Sequence, residues 1–107
     1  MVRVVDLLQY LLEERGSDLL VKVGSPPCLR RNGRLERTEL EAMKPEAIEA
    51  LADELLSEVK AAELAECGET DLAYSVPGMG RFRVNVYRQR GSLSLAIRRV
   101  VPGAPSI

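Results

Sequence analysis

The chain has 107 residues, which is enough for one compact domain with a single core. Apolar residues make up 46% of it and charged residues 29%, with a net charge of −1, and this composition is that of a globular protein rather than a disordered one. Because histidine is absent and the two cysteines, Cys28 and Cys67, form no CxxC pair, histidine-dependent nucleophiles, histidine zinc sites and redox motifs are excluded, and no metal site is expected.

The first predicted elements are a helix and a strand. Apolar residues recur with helical spacing over residues 3–15, and Gly16 stands where a C-terminal glycine cap would. Apolar side chains then alternate over residues 19–23, which predicts a strand. The Gly-Ser-Pro-Pro sequence at 24–27 brings that strand to an end.

A hairpin and a second helix follow. Residues 28–31 and 34–36 flank Asn32-Gly33, the dipeptide best able to supply the positive φ angles of a two-residue turn. Pro45 suits the first position of a helix that carries one apolar face opposite acidic residues. That apolar face consists of Ile48, Leu51, Ala52, Leu55 and Leu56.

The last third of the chain is predicted to be an antiparallel meander. A short helix over residues 60–66 should end at Gly68, which is well placed to cap it. The pattern then changes to three strands, at 70–76, 81–88 and 92–101. Turns with the sequences Pro-Gly-Met-Gly and Arg-Gly separate them.

The register of the final hairpin follows from its turn. If residues 90–91 are the two turn residues, or the centre of a four-residue turn, Arg83 faces Arg98 and Val84 faces Ile97. A three-residue turn would shift the pairing by one and place an arginine against an apolar face. The face that packs on the helices is then Phe82, Val84, Val86, Leu93, Leu95 and Ile97. The opposite face is Arg81, Arg83, Asn85, Ala96 and Arg98.

The charges of this hairpin are not balanced locally. Residues 1–71 contain nine basic and 16 acidic residues, whereas 72–107 contain six arginines and no acid. Like charges directly opposite on a sheet disfavour each other by up to about 1 kcal/mol, so something negative should offset Arg83 and Arg98. A phosphate, an acidic partner surface and the chain's own carboxylates are the three alternatives. The residues alone favour an internally paired or solvated surface, because structural ion pairs are commoner than sites.

Two groups of segments resemble signature stretches of the PilT-like retraction ATPases, in the order that this family has them. The resemblance covers nearly the whole chain. The first group is Ser17-Asp18-Leu19 with 23–27 and 30–35. The second group is 69–74, 80–87, 89–91 and 97–98.

The resemblance implies an α+β, PAS-like domain over residues 1–101, mainly antiparallel sheet with helices packed on one face. Residues 102–107, Pro-Gly-Ala-Pro-Ser-Ile, have linker composition and are expected to begin the connection to a missing RecA-like ATPase core. No GxxxxGK[ST] loop is present, so the fragment should be inactive alone and the parent protein should be the ATPase. ATP and Mg²⁺ are expected in the full-length protein, and no cofactor in the isolated domain.

The resemblance also implies a role for particular arginines. In motors of this type, arginines of this domain approach the phosphates of ATP that the core holds. By position, Arg83 and Arg98 resemble the arginine-finger pair, and Arg81 and Arg90 are further candidates for phosphate contact. Arginine suits this task because its delocalised fork stabilises charge spread over phosphoryl oxygens.

The expected whole is therefore the non-catalytic amino-terminal domain of a hexameric pilus-retraction or secretion motor. Its partners would be its own RecA-like core, the neighbouring subunits of a homohexamer, and the pilus or secretion machinery at the inner membrane. Because no leading signal segment and no membrane-spanning run is present, a cytoplasmic location beside that machinery is expected.

Two other functions compete with the motor hypothesis. Basic strands over 81–99, with Phe82 and Tyr87 nearby, are compatible with a small nucleic-acid-binding module. Because the register places Phe82 on the core face and leaves only Tyr87 to stack, no nucleic acid is expected as partner. A PAS-like sensor of a small ligand is the third alternative, and the missing histidine excludes histidine-ligated haem.

Overall fold

A computed structural model describes residues 2–101 as three helices and one six-stranded sheet. The elements are, in chain order, α1 (Val4–Glu13), β1 (Asp18–Val21), β2 (Cys28–Arg31), β3 (Arg34–Arg37), α2 (Pro45–Leu55), α3 (Glu58–Cys67), β4 (Glu69–Val76), β5 (Gly80–Gln89) and β6 (Ser92–Val100). The strand order is β3-β2-β1-β6-β5-β4, and every neighbouring pair is antiparallel. The α+β class and the antiparallel sheet are thus confirmed, while the expected linker at 102–107 lies outside the described residues.

The helices cover one face of the sheet, as expected. Alternate residues of the strands on that face are buried, and they form one cluster with the apolar stripes of the helices. The strand side chains of this core are Leu19, Val21, Leu29, Phe82, Val84, Val86, Leu93, Leu95 and Ile97. The helical ones are Val4, Leu7, Leu8, Leu11, Ile48, Leu51, Ala52, Leu55 and Leu64. Each large aliphatic side chain buried in this way contributes about 1.5–3 kcal/mol relative to its exposed state.

Two-residue turns fix the register of two hairpins, the first formed by β2 and β3 and the second by β5 and β6. Asn32 and Gly33 have φ angles of 52° and 78°, as the predicted turn requires, and Arg31 pairs with Arg34 across it. In the second hairpin Arg90 takes a φ angle of 54°, although it is neither glycine nor asparagine. The predicted pairing of the last two strands is confirmed, because the turn residues are those that the sequence indicated.

The end of α1 differs from the prediction. The residue with positive φ is Arg15, at 56°, so Gly16 is not the left-handed cap that its position suggested. Gly16 instead lies against the side chain of Leu29, and a Cβ at this position would overlap the Leu29 Cδ1 atom. The strand after it is also shorter than predicted, since β1 ends at Val21 and Val23 forms only an isolated bridge with Met43.

We expect Gly16→Ala to lower the free energy of unfolding by about 1–3 kcal/mol, because the added methyl group overpacks the contact with Leu29. Urea unfolding followed by circular dichroism measures the loss. In a Leu29→Ala background, which lacks both Leu29 atoms that the methyl group would meet, the same change should cost clearly less. Equal losses in both backgrounds would show that the close approach to Leu29 is not the cause.

Candidate functional site

Four charged residues lie side by side on the open face of the sheet, which the helices leave uncovered. The pairing places Arg30 of β2 beside Asp18 of β1, Asp18 beside Arg98 of β6, and Arg98 beside Arg83 of β5. We call these residues the arginine row. They come from four neighbouring strands, in the order Arg30, Asp18, Arg98, Arg83. The predicted pair of Arg83 and Arg98 forms one half of this row.

Asp18 neutralises one end of the arginine row. Its Oδ1 accepts a 3.0 Å hydrogen bond from Nε of Arg98, and its Oδ2 lies 3.8 Å from Nε of Arg30. The hydroxyl of Ser17 donates to the same Oδ2 over 2.7 Å. Of the three alternatives for the offsetting charge, the chain's own carboxylate is therefore the one that the structure shows for Arg98.

Arg83 is the member of the row that keeps its charge uncompensated. It takes part in no ion pair within the described part of the chain. The acids of the adjacent strand are turned elsewhere, because Oδ1 of Asp71 and Oε1 of Glu69 both accept from the side-chain amide of Asn85. Arg83 also lines a surface groove of about 500 Å³, whose other charged lining residues are Lys60 of α3 and Asp71 of β4. An incoming anion would meet two cations beside one carboxylate there, and the Lys60 ammonium also pairs with Glu63 at 3.9 Å.

The other two arginines that the sequence singled out lie differently. Arg81 is exposed on the same face as Arg83, two residues along β5, which corresponds to about 7 Å. Arg90 sits in the turn at the far end of β5, seven residues from Arg83 and about 24 Å away along the strand. The fold thus brings Arg81 next to the arginine row and leaves Arg90 outside it.

Sequence reasoning missed two members of the row. Asp18 directly precedes an apolar strand, and Arg30 is one of four arginines in the first hairpin, with Arg31, Arg34 and Arg37. Only the pairing of β1 with β6 shows their place beside Arg98. The position of Asp18 before the strand is the one local feature that singles it out, and it does not indicate which residue Asp18 pairs with.

The open face offers little to a nucleic acid. Phe82 is fully buried in the core, so it cannot stack on a base. Tyr87 lies on the open face between Ser94 and the acidic Glu69, and it is half-buried. Stacking aromatics beside uncompensated cations are what single-strand binding requires, and a single partly covered tyrosine next to a carboxylate does not provide them.

A small-ligand sensor is not favoured by the interior either. The centre of the core is filled by Phe82, Leu8 and Leu11, none of which is exposed. A second surface groove, of about 480 Å³, is mostly apolar and lies where α1 meets the segment before α2, with Leu7 and Met43 among its lining residues. It contains no convergent set of polar groups of the kind that orients a small ligand. None of the helices in residues 2–101 is long and apolar enough to cross a bilayer.

We expect the two central arginines to differ in their effect on stability. Arg83→Gln should leave the free energy of unfolding unchanged or raise it by a few tenths of a kcal/mol, because it removes a like-charge neighbour and no ion pair. Arg98→Gln should lower it by up to about 1 kcal/mol, because the bond to Asp18 is lost. Arg34→Gln is the matched control, because Arg34 is an exposed residue of β3 that likewise lies opposite another arginine, Arg31. A loss above 1 kcal/mol for Arg83→Gln in urea unfolding would assign Arg83 a structural role.

No protein-family profile matches the chain. Two relatives from Pseudomonas aeruginosa do: the type IV pilus ATPase PilU is 32% identical over 101 residues, which are 94% of this chain and 26% of PilU. The type IV pilus retraction ATPase PilT is 30% identical over 99 residues, which are 92% of this chain and 28% of PilT. The chain therefore spans less than a third of the length of either relative.

Solved structures agree with these relatives. The crystal structure of the pilus retraction motor PilT with bound ADP matches 98% of this chain with a TM-score of 0.89 and 29% identity, and the match covers 31% of that structure. The ATPase DotB of Legionella pneumophila matches 94% of the chain, and 29% of its own, with a TM-score of 0.75. Its 19% identity shows a shared fold alone. By sequence and by fold, the chain belongs with the amino-terminal domains of the PilT/PilU-type secretion ATPases.

Proposed function

We propose that this chain is the non-catalytic amino-terminal domain of a hexameric pilus-retraction or secretion motor, and that Arg83 and Arg98 face the phosphates of ATP held by a RecA-like core. The observation that carries the proposal is the pair of arginines directly opposite each other on an uncovered sheet face. The similarity to PilU and PilT, both pilus ATPases by name, supports it.

The residues present fit one half of a nucleotide site. The chain contains no GxxxxGK[ST] loop, so the core must cradle the phosphates and carry out hydrolysis. No three His, Cys, Asp or Glu side chains among residues 2–101 are grouped to hold a metal, so Mg²⁺ would be bound by the core and the phosphates. What this domain can supply is permanent positive charge in forked form.

Arg83 and Arg98 would act by stabilising charge rather than by moving protons. In phosphoryl transfer the developing negative charge spreads over the equatorial oxygens, and preorganised cations lower the energy of that state. Arg83 forms no ion pair among residues 2–101, so no carboxylate bonded to it has to be displaced by an anion. Arg98 is 72% exposed despite its bond to Asp18, so it remains accessible from the open face.

The open face of the sheet is also the natural contact surface for the core. Small or short side chains, Ala96 and Ser94, lie in its centre on β6 and permit a close approach of another backbone. Arg83 and Arg98 lie beside Ala96, at one end of this stretch, and suit a partner that carries phosphates or carboxylates. We place the partners in the same assembly: the RecA-like core, neighbouring subunits of a homohexamer, and the pilus or secretion machinery at the inner membrane, reached from the cytoplasm.

ATP turnover tests the proposal in the polypeptide that joins this domain to its ATPase core. We expect Arg83→Ala and Arg98→Ala each to lower kcat by roughly 10³-fold or more, the range known for arginine fingers, with ATP binding nearly unchanged. Arg83→Lys should restore little, because a point charge cannot replace the fork.

Arg34→Ala is the control, since Arg34 is the exposed first residue of β3, outside the arginine row, and its loss should leave turnover intact. Turnover equal to that of the unaltered protein in both alanine variants would show that the arginine pair has no part in hydrolysis.

A further inference from the structure

We propose that Asp18 is a positioning residue for phosphate binding: it holds the Arg98 guanidinium by Nε and leaves both terminal nitrogens of the fork to the anion. This inference rests on the proposed function, because it takes Arg98 as a phosphate-facing residue. It adds a second role to a carboxylate that otherwise reads as a simple counter-ion.

The atoms used in the contact carry the argument. Asp18 Oδ1 accepts from Nε of Arg98, at 3.0 Å, and this is the single hydrogen bond of that side chain within the described residues. A guanidinium has five N–H donors, of which Nε carries one and the terminal nitrogens carry four. The end of the fork, which binds phosphate oxygens through two parallel bonds, is therefore unoccupied.

Asp18 is itself held firmly, as a positioning group must be. Its side chain is only 14% exposed, because Arg30 and Arg98 flank it on the two neighbouring strands. The Ser17 hydroxyl donates a hydrogen bond to Oδ2 of Asp18. The Ser17 backbone is fixed on both sides, because its N–H donates to the carbonyl of Arg30 and its carbonyl accepts from the N–H of Arg99. A long, exposed arginine is thus attached to a short, fixed carboxylate.

Two opposite effects follow from removing Asp18, and they can be separated chemically. The negative charge of Asp18 repels an incoming anion, so its loss alone raises anion affinity. The hydrogen bond to Nε orders the Arg98 side chain. Without this bond, anion binding itself must order that long side chain, and the entropic cost lowers the anion affinity. Asparagine removes the charge but keeps an acceptor oxygen for Nε, and its amide can donate to the Ser17 hydroxyl. Alanine removes both.

Titration of this chain with inorganic tripolyphosphate tests the inference by NMR, with the side-chain Nε–H signal of Arg98 as the direct probe. We expect Asp18→Asn to bind tripolyphosphate at least as tightly as the unaltered chain. Asp18→Ala should bind about two- to tenfold more weakly than Asp18→Asn, and its Arg98 Nε–H signal should move and exchange faster with water. Asp18→Ser is a second variant that should behave like Asp18→Ala, because the serine side chain is too short for its hydroxyl to reach Nε of Arg98.

Asp71 provides the matched control. Its carboxylate lies on the same face but accepts from the amide of Asn85, not from an arginine. Asp71→Asn and Asp71→Ala should therefore bind tripolyphosphate equally well.

The inference is wrong if Asp18→Ala binds as tightly as Asp18→Asn, since Asp18 is then only a competing charge. It is also wrong if tripolyphosphate leaves the Arg98 Nε–H signal of the unaltered chain in place. Neither result depends on ATP turnover, so a failure here is distinguishable from a failure of the proposed function.

Discussion

The antiparallel pairing of β1 with β6 is the contact on which both the core and the arginine row depend. It joins segments about 80 residues apart in the chain, and it turns two smaller sheets into one. Leu19 and Val21 of β1 are fully buried at this seam, between the first hairpin and the final meander. On the opposite face the same pairing sets Asp18 beside Arg98. Shifting the pairing of β1 with β6 by one residue would expose the apolar residues and also separate Asp18 from Arg98. Core packing and the ion pair therefore stabilise the same register.

Charge is distributed over the fold in two layers. Acids of the helices are paired where they meet basic side chains of other elements, as Glu54 pairs with Arg3 and Glu49 with Arg88. The open face of the sheet has more cations than counter-ions, and Arg83 is left without one among the described residues. The repulsion between the opposed arginines Arg83 and Arg98 lowers the stability of the folded domain. Surfaces that retain such repulsion are those where a partner of opposite charge is expected to bind.

The sequence was informative wherever structure is local. Asn32-Gly33 and the turn at 90–91 predicted the registers of the β2–β3 and β5–β6 hairpins, and Gly68 predicted the end of α3, because turn and cap chemistry depends on a few adjacent residues. It was uninformative about contacts between distant segments. The role of Gly16 against Leu29 and the place of Asp18 and Arg30 in the arginine row both require a three-dimensional neighbour that no local pattern names. The assignment of Arg83 and Arg98 to phosphate contact stays a prediction.

The distance in sequence between β1 and β6 also bears on how the domain is made. Closing a loop of this length costs more entropy than forming either hairpin, so the hairpins should form first and the seam between them last. The arginine row spans that seam and cannot exist before it closes. During synthesis the amino-terminal part leaves the ribosome first, so Asp18 cannot pair with Arg98 until almost the whole domain has been synthesised. The meeting of Asp18 with Arg98 would then be the final event of folding, and a chain interrupted before β6 would lack both Arg98 and the strand against which α2 packs.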